Sequence, residues 1–298
     1  MGILINDNFR ELEGHISKYF DKQMASKPDY LGQLFNVQTS NRSVEEHLGF
    51  GATQLMTTWT GQVDYGDFEK GYQTNYRHAK YSAGMQVERE LLDFTNFSEV
   101  KRRVDSLLVD AVYKTKQIHG ASVFNNAFDD TYAGSDGVGL CSAAHPYSPT
   151  DATTQSNEGT ATLTVANVDS ARQAMINFVD SAGNILVRNP NYIIVGPKQW
   201  LNAKKLIGSA LEPSNANNGI NVFGNGELKL IYNPFITVNA WFLADEMEMK
   251  KMLNWYTARE PKVEMESVFD TEVAKYKAVG LWSKGWDDYS FIYGNKVS

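Results

Sequence analysis

The feature that most limits the fold of this chain is a helical pattern between residues 97 and 128. Apolar residues recur there at a period close to 3.6, which predicts one amphipathic helix. Asn96 and Glu99 fit a capping pair at its start, and Gly120 is a candidate interruption. At 1.5 Å per residue the helix would reach about 48 Å, wider than a small domain. It is expected to be a backbone element along one face of a sheet. The members of the apolar stripe are Phe97, Val100, Val104, Leu107, Leu108, Ala111, Val112, Ile118, Val123 and Phe128.

A second feature is a predicted hairpin that this chain alone does not bury. The segments "MTTWTGQVDYG" and "GYQTNYRHAKY" both alternate, and "YGDFEKG" between them supplies turn residues. The hairpin is rich in aromatic residues yet polar on both faces, and an isolated hairpin is only marginally stable in water. We therefore expect residues 55–82 to lie on a neighbouring subunit.

The remaining segments predict a mixed α+β chain. Residues 8–25 predict a helix, and residues 26–54 show no sustained period, which is typical of an arm. After residue 139 the pattern predicts a compact series of strands and helices. In order, it reads strand "TATLTV", helix "NVDSARQAMINFVDSAG", strand "NYIIVG", helix "PKQWLNAKKLIGSAL", and strands "LKLIYN" and "AWFLAD". From about residue 250 the chain alternates as long strands.

Charge and composition exclude several classes of protein. The net charge of −7 argues against a sequence-reading nucleic-acid binder, and the basic run at 101–103 is interpreted as a solvated helix face. The single cysteine excludes an internal disulfide. No apolar run approaches the roughly 20 residues of a membrane helix, and the first residues do not resemble a signal peptide. A reducing cytoplasm is the expected setting.

Candidate reactive residues are few. Cys141 and His145 lie in "GLCSAAHPYSP", but a thiol nucleophile also needs a residue that orients its base. The five histidines are scattered, and no nucleotide-binding glycine motif is present. Asp287 and Asp288 are neighbours on a predicted strand, so they point to opposite faces and are interpreted as solvated. We therefore predict no catalytic, cofactor or metal site and no enzyme activity.

The order of parts resembles the major capsid protein of tailed bacteriophages, the Hong Kong 97 fold family. "DGVGLCSAAHPYSP" resembles the segment after the spine helix in Mu-like head subunits, with Cys141 in place of the usual aromatic residue. That replacement indicates a packing position for Cys141. "YSAGMQVERELLDF" and "KYKAVGLWSKGWDDYSFIYG" are similar to the family's linking segment and closing strands, although Asp287 and Asp288 follow Trp286 where an arginine is common.

The resemblance implies an α+β Hong Kong 97-type fold with four parts. These are an N-terminal arm (1–54), an extended hairpin loop (55–82), a peripheral domain with spine helix 97–128 (83–139 and 250–298) and an α/β axial domain (140–249). It further implies hexamers and pentamers forming an icosahedral head in the virion, assembled in the host cytoplasm around double-stranded DNA held without sequence specificity. Portal, scaffold or decoration proteins are the expected partners, and no membrane is involved.

Assembly is then the mechanism, and aromatic residues are the expected contacts between subunits. Those chosen are Phe9 and Phe20 on the arm and Trp59, Tyr65, Phe68, Tyr72 and Tyr76 on the hairpin. Each could instead pack within its own chain. The loop at 212–227 is expected at the capsomer centre, through Asn215, Asn217, Asn218 and Asn221.

Two alternatives remain open from the sequence. An encapsulin-like cage would share the fold but enclose cargo proteins instead of DNA. A thiol-dependent hydrolase would use Cys141 and His145.

Overall fold

The computed structural model describes residues 4–52, 54–63, 65, 70–88, 97–209, 220–268 and 273–297. Its helices are α1 (Leu4–Ser26), α2 (Leu31–Leu34), α3 (Phe97–Val104), α4 (Asp110–Asn125), α5 (Val165–Ile176), α6 (Trp200–Gly208) and α7 (Glu246–Met252), with a π-turn (Asp105–Val109) between α3 and α4 and short 3-10 turns at Asp130–Tyr132 and Val222–Asn225. Its strands are β1 (Asn36–Thr39), β2 (Val44–Phe50), β3 (Lys70–Arg77), β4 (Ala79–Glu88), β5 (His145–Pro146), β6 (Thr154–Gln155), β7 (Glu158–Gly159), β8 (Tyr192–Val195), β9 (Lys229–Tyr232), β10 (Ala240–Ala244), β11 (Leu253–Val268), β12 (Val273–Trp286) and β13 (Ile292–Lys296).

The long strands form a four-stranded sheet in the order β1-β11-β12-β4. β11 and β12 run antiparallel, β4 runs antiparallel to β12, and β1 is parallel to β11. Alternate residues such as Val263, Tyr276 and Met85 turn to one face, where they form a core with α1, α3 and the π-turn. The long alternating strands expected from about residue 250 are confirmed.

The long helix is confirmed as one run from Phe97 to Asn125, in the order α3, π-turn, α4. Two residues of the expected inward stripe, Leu107 and Ile118, are instead exposed. In a π-turn each backbone hydrogen bond spans five residues instead of the four of an α-helix. The extra residue rotates the helix surface, so the buried residues here are Leu108 and Val109. Gly120 does not interrupt the helix. The capping residue Asn96 lies outside the described residues.

Helix α1 is longer than the helix predicted over 8–25, since it runs from Leu4 to Ser26. It packs on its own chain. Ile16 and Phe20 are buried against the sheet and the long helix. The Tyr19 hydroxyl donates to Asp105 Oδ2 at 2.8 Å. Phe20 was expected to contact another subunit; this is wrong, because α1 turns its apolar stripe onto the chain's own core. Nothing is described of the Phe9 side chain.

The second sheet has the order β7-β13-β10-β8-β9. Helices α5 and α6 cover one face, and the end of the long helix covers the other. The predicted strand at 160–165 is absent, because the Thr164 side chain accepts a hydrogen bond from the Asn167 N–H and starts α5 there. The last strand, β13, was expected in the peripheral domain, but it pairs with β10 in this sheet.

Candidate assembly site

The predicted hairpin is built from different strands than expected. Strand β3 pairs with β2, from Val44↔Arg77 to Phe50↔Lys70, and not with residues 56–65. Residues 54–63 contain no strand, and Gly61 has a φ of 110°, a left-handed conformation that interrupts an extended strand. We call the β2–β3 pair the ribbon, and residues 54–63 with Tyr65 its outer segment.

The outer segment exposes apolar side chains that its own chain leaves uncovered. Trp59 is 69% exposed and Tyr65 is 88% exposed, and Met56 is fully exposed. Residues 51–63 carry no charge. A run of exposed apolar residues without charge is typical of a surface that contacts another protein.

The three other residues expected to contact a neighbour from the hairpin differ in their surroundings. Tyr72 is half-buried on the ribbon, and Phe68 lies outside the described residues. Tyr76 is only 2% exposed, so the expectation that it contacts a neighbouring subunit is wrong. Its side chain makes its contacts within its own chain, at the base of the ribbon.

At that base, a partly buried polar cluster fixes the ribbon to the ends of β11 and β12. The Tyr76 hydroxyl donates to Asp287 Oδ1 at 2.6 Å, and the Asn254 amide donates to Asp287 Oδ2 at 2.8 Å. His47 bridges the cluster, with Nδ1 2.8 Å from Asp287 Oδ2 and Nε2 2.8 Å from the Tyr256 hydroxyl. We call these five residues the anchor. The interpretation of Asp287 as solvated surface is wrong, because the side chains of Tyr76, Asn254 and His47 contact its carboxylate and only 22% of its side chain is exposed.

Burial and charge act together on the tyrosines of the anchor. Burial, followed by the negative charge of Asp287, raises the pKa of Tyr76 far above its usual range. The same two causes raise the pKa of Tyr256 to about 12. Both phenols therefore stay protonated at neutral pH and can donate hydrogen bonds. Asp288, beside the anchor, instead accepts a hydrogen bond from the Tyr289 N–H at 2.8 Å.

Sequence reasoning missed the anchor because its members lie in four separate segments and none belongs to a motif. The one available signal was the polar, aromatic character of the strands that carry them. Only the pairing of β2 with β3 and of β11 with β12 brings the side chains together.

Cys141 is a packing residue. It is buried, its Sγ faces the space left by the missing side chain of Gly294, and burial raises the pKa of its thiol well above the usual value. A buried thiol with a raised pKa is a poor nucleophile. The packing position that the resemblance implied agrees with this environment.

His145 is occupied elsewhere. Its Nδ1 lies 2.6 Å from Asp136 Oδ2 and its Nε2 lies 3.1 Å from Asn157 Oδ1. Its ring stacks on Tyr289 with centroids 3.7 Å apart. Neither nitrogen is left to serve as a base for Cys141. The two residues of the hydrolase alternative are therefore not joined into a catalytic pair.

Of the expected capsomer-centre residues, only Asn221 is among the described ones. It is fully buried, and its side-chain amide donates to the carbonyls of Leu206 and Ser209 at the end of α6. Asn221 is therefore a capping residue and not an exposed contact. Asn215, Asn217 and Asn218 lie outside the described residues.

In the described part of the chain, no group of three or more histidine, cysteine or carboxylate residues is placed to hold a metal ion. No helix in the same residues is both long and apolar enough to cross a bilayer.

Comparison with solved structures shows the fold. The chain is similar to the capsid of the cyanophage P-SCSP1u, with 9% identity, a TM-score of 0.58, and 90% of this chain and 87% of that chain covered. It is similar to the mature capsid of bacteriophage PhiM1, with 12% identity, a TM-score of 0.58, and 91% and 87% covered. The expected α+β fold of the Hong Kong 97 type is confirmed.

A virus-like particle from Pyrococcus furiosus is also similar, with 10% identity, a TM-score of 0.53, and 96% of this chain and 99% of that chain covered. No curated protein matches the sequence. A family model described as phage capsid protein matches residues 71–294. That match takes in the long helix and most of both sheets, and the chain belongs to the phage capsid protein family.

Proposed function

We propose that this chain is the major capsid subunit that self-assembles into the icosahedral head of a tailed bacteriophage and encloses its double-stranded DNA. Membership of the capsid family supports the proposal. The observation that carries it is the exposed outer segment of the ribbon, which is uncharged from residue 54 to residue 63 and leaves Trp59 and Tyr65 uncovered by their own chain.

The subunits assemble through the ribbon, whose base is fixed to its own chain and whose outer segment is exposed. The anchor holds the base of the ribbon on its own subunit, so the position of the outer segment is set before contact. A two-stranded ribbon is marginal alone, and it gains stability when a neighbour covers it. Many modest contacts of this kind, closed by symmetry into hexamers and pentamers, stabilise the shell.

The proposed function also assigns the segments of the chain to the domains of a capsid subunit. Residues 140–249 form the axial domain, with the loop at 212–227 directed to the capsomer centre. Residues 83–139 and most of 250–298 form the peripheral domain, and β13 is shared with the axial sheet. The net charge of −7 fits a container that does not bind its packaged DNA tightly. Portal, scaffold or decoration proteins are the proposed partners, and the virion is the proposed location.

A cellular cage of the encapsulin type is the second candidate, favoured by the likeness to the Pyrococcus furiosus virus-like particle. The fold does not separate the two candidates, whereas the phage capsid family match favours the head. Genes for a portal and a terminase beside the gene for this chain are the expected finding. A cargo-enzyme gene in that place would favour the cage.

The proposal is tested by changing the outer segment alone. Trp59→Ser with Tyr65→Ser is expected to abolish assembly, as measured by velocity sedimentation, while circular dichroism of the subunit stays unchanged. The control is Ile118→Ser with Met247→Ser, two exposed apolar residues outside the ribbon, which should assemble. Normal shells from the Trp59/Tyr65 variant would contradict the proposed role of the outer segment.

A further inference from the structure

Helix α6 and the residues just before it carry three lysines whose charge is not balanced within the described part of the chain. Lys198, Lys204 and Lys205 are exposed, and none of them forms an ion pair with another described residue. The sequence has no acidic residue between Asp180 and Glu212, and Glu212 lies outside the described residues. In a chain of net charge −7, this surface is locally basic.

The elements on which α6 packs add no free negative charge. Helix α6 contacts β8, β9 and the 3-10 turn at Val222–Asn225, and none of these three elements contains an acidic residue. Lys229 at the start of β9 is paired with Glu246 at 3.3 Å. Glu227, just before β9, is paired with Arg172 on α5 at 3.5 Å. Both nearby carboxylates therefore already face a cation other than the three lysines.

The outward side of α6 combines these charges with apolar surface. Leu206 packs in the core beneath the helix, so the opposite side of α6 faces away from the sheet. On that side Leu201 is 56% exposed, and Lys204 and Lys205 follow it by three and four positions, one turn along the helix. Trp200 beside Leu201 is 41% exposed. We call the basic surface the set Lys198, Trp200, Leu201, Lys204 and Lys205.

We propose that the basic surface binds an acidic, partly apolar polypeptide segment of a separate protein. The carboxylates of that segment pair with the lysines, and its apolar side chains cover Leu201 and Trp200. At 1.5 Å per residue α6 is about 14 Å long, a length that about four extended residues of the partner span. Charge complementarity of this kind fixes the register of a contact and speeds its formation.

The apolar residues favour a polypeptide over a nucleic acid. The backbone of duplex DNA offers phosphates but little apolar surface, so it would pair with the lysines and leave Leu201 uncovered. The inference rests on the proposed function, whose scaffold or decoration proteins are the class of partner that would carry such a segment.

The first test titrates the full chain with a fluorescein-labelled synthetic peptide rich in glutamate and leucine, followed by fluorescence anisotropy at low salt. Saturable binding is expected. Lys204→Glu with Lys205→Glu should weaken it about tenfold, because two attractive charges become repulsive. Leu201→Ser should weaken binding of this peptide, but not of a matched peptide with serine in place of leucine. Binding that neither change weakens would overturn the proposal.

Matched variants outside the basic surface serve as controls. Lys18→Glu with Lys22→Glu makes the same charge change on exposed residues of α1, and Ile118→Ser removes an exposed apolar residue of the long helix. Both should bind the peptide as the unmodified chain does. Thermal unfolding checks the fold of each variant, and Lys204→Gln with Lys205→Gln replaces the charge reversal if the reversal unfolds the chain.

A nucleic-acid probe gives the second test. A fluorescein-labelled 20-base-pair duplex should bind less tightly than the glutamate–leucine peptide, and Leu201→Ser should leave its binding unchanged. Tighter binding of the duplex, lost on Lys204→Glu with Lys205→Glu, would show a phosphate-binding surface and overturn the proposal.

Acetylation distinguishes a separate protein from another copy of this chain. Lys204 and Lys205 should react with an acetylating reagent as fast in assembled shells as in the free subunit, measured by peptide mass spectrometry. Protection in the shells would show that a second copy covers the surface, and the proposal would be wrong while the proposed function stands. If the unmodified chain never assembles, the proposed function fails, and peptide binding to the subunit alone decides the inference.

Discussion

At the scale of single residues, the anchor tyrosines link stability to pH. Burial and the charge of Asp287 raise the pKa of Tyr256 to about 12, above the value of about 10 expected in the unfolded chain. A group whose folded-state pKa is raised contributes stability that is complete below the unfolded value. That stability is lost as the pH rises through about 12.

The first prediction follows from this shift. The free energy of unfolding should fall between pH 10 and pH 12, and the fall should be smaller in Tyr256→Phe, which has no phenol to ionise. Urea unfolding across that range measures it. Equal slopes in both proteins would contradict the stated role of Tyr256.

Gly120 gives the second prediction. A Cβ there would lie 2.1 Å from Leu31 Cδ2, inside the buried contact between α2 and the long helix. Gly120→Ala should therefore lower the free energy of unfolding by about 1–3 kcal/mol, measured by urea unfolding. The control is Gly14→Ala in α1, where a Cβ has open space and should stabilise by about 0.5–1 kcal/mol. A neutral or stabilising Gly120→Ala would show that Leu31 moves aside without cost.

At the scale of elements, the ribbon depends on its anchor. Asp287→Asn removes the charge that Tyr76 and His47 face, so the ribbon should open more often. We expect about 10- to 100-fold faster hydrogen exchange in residues 44–50 and 70–77, since losing a hydrogen bond to a charged group costs about 1.5–3 kcal/mol. Asp21→Asn, on the exposed side of α1, should leave exchange there unchanged. Unaltered exchange in Asp287→Asn would mean that the anchor does not hold the ribbon.

Elements with a strong local period could be predicted from the sequence, and elements set by distant partners could not. The long helix, α1 and the strands after residue 250 follow their own alternation, and their existence is confirmed. Strand β2, "VEEHLGF", has no alternation and becomes a strand because β3 pairs with it. The π-turn could not be predicted from the sequence either, because the shift of the buried face at Leu107 depends on how α1 packs there.

The candidate site shows the same division. Exposure of Trp59 and Tyr65 agrees with the uncovered surface that the polar, aromatic pattern implied, whereas Tyr76 belongs to the chain's own core. Tyr65 and Tyr76 cannot be told apart from the sequence pattern around them. What separates Tyr76 is the carboxylate of Asp287, which the fold brings to it from 211 positions away.

At the scale of the whole molecule, this chain is expected to join other copies of itself. Its core is made by two sheets and the long helix, and its outer segment presents apolar side chains to a neighbour. Copies should therefore join through that segment and close into a shell.

The most direct measurement is velocity sedimentation of the purified full-length chain, with negative-stain imaging of the fastest-sedimenting fraction. Closed, icosahedral particles built from rings of subunits are expected. A stable monomer across a range of protein concentration, salt and pH would contradict self-assembly.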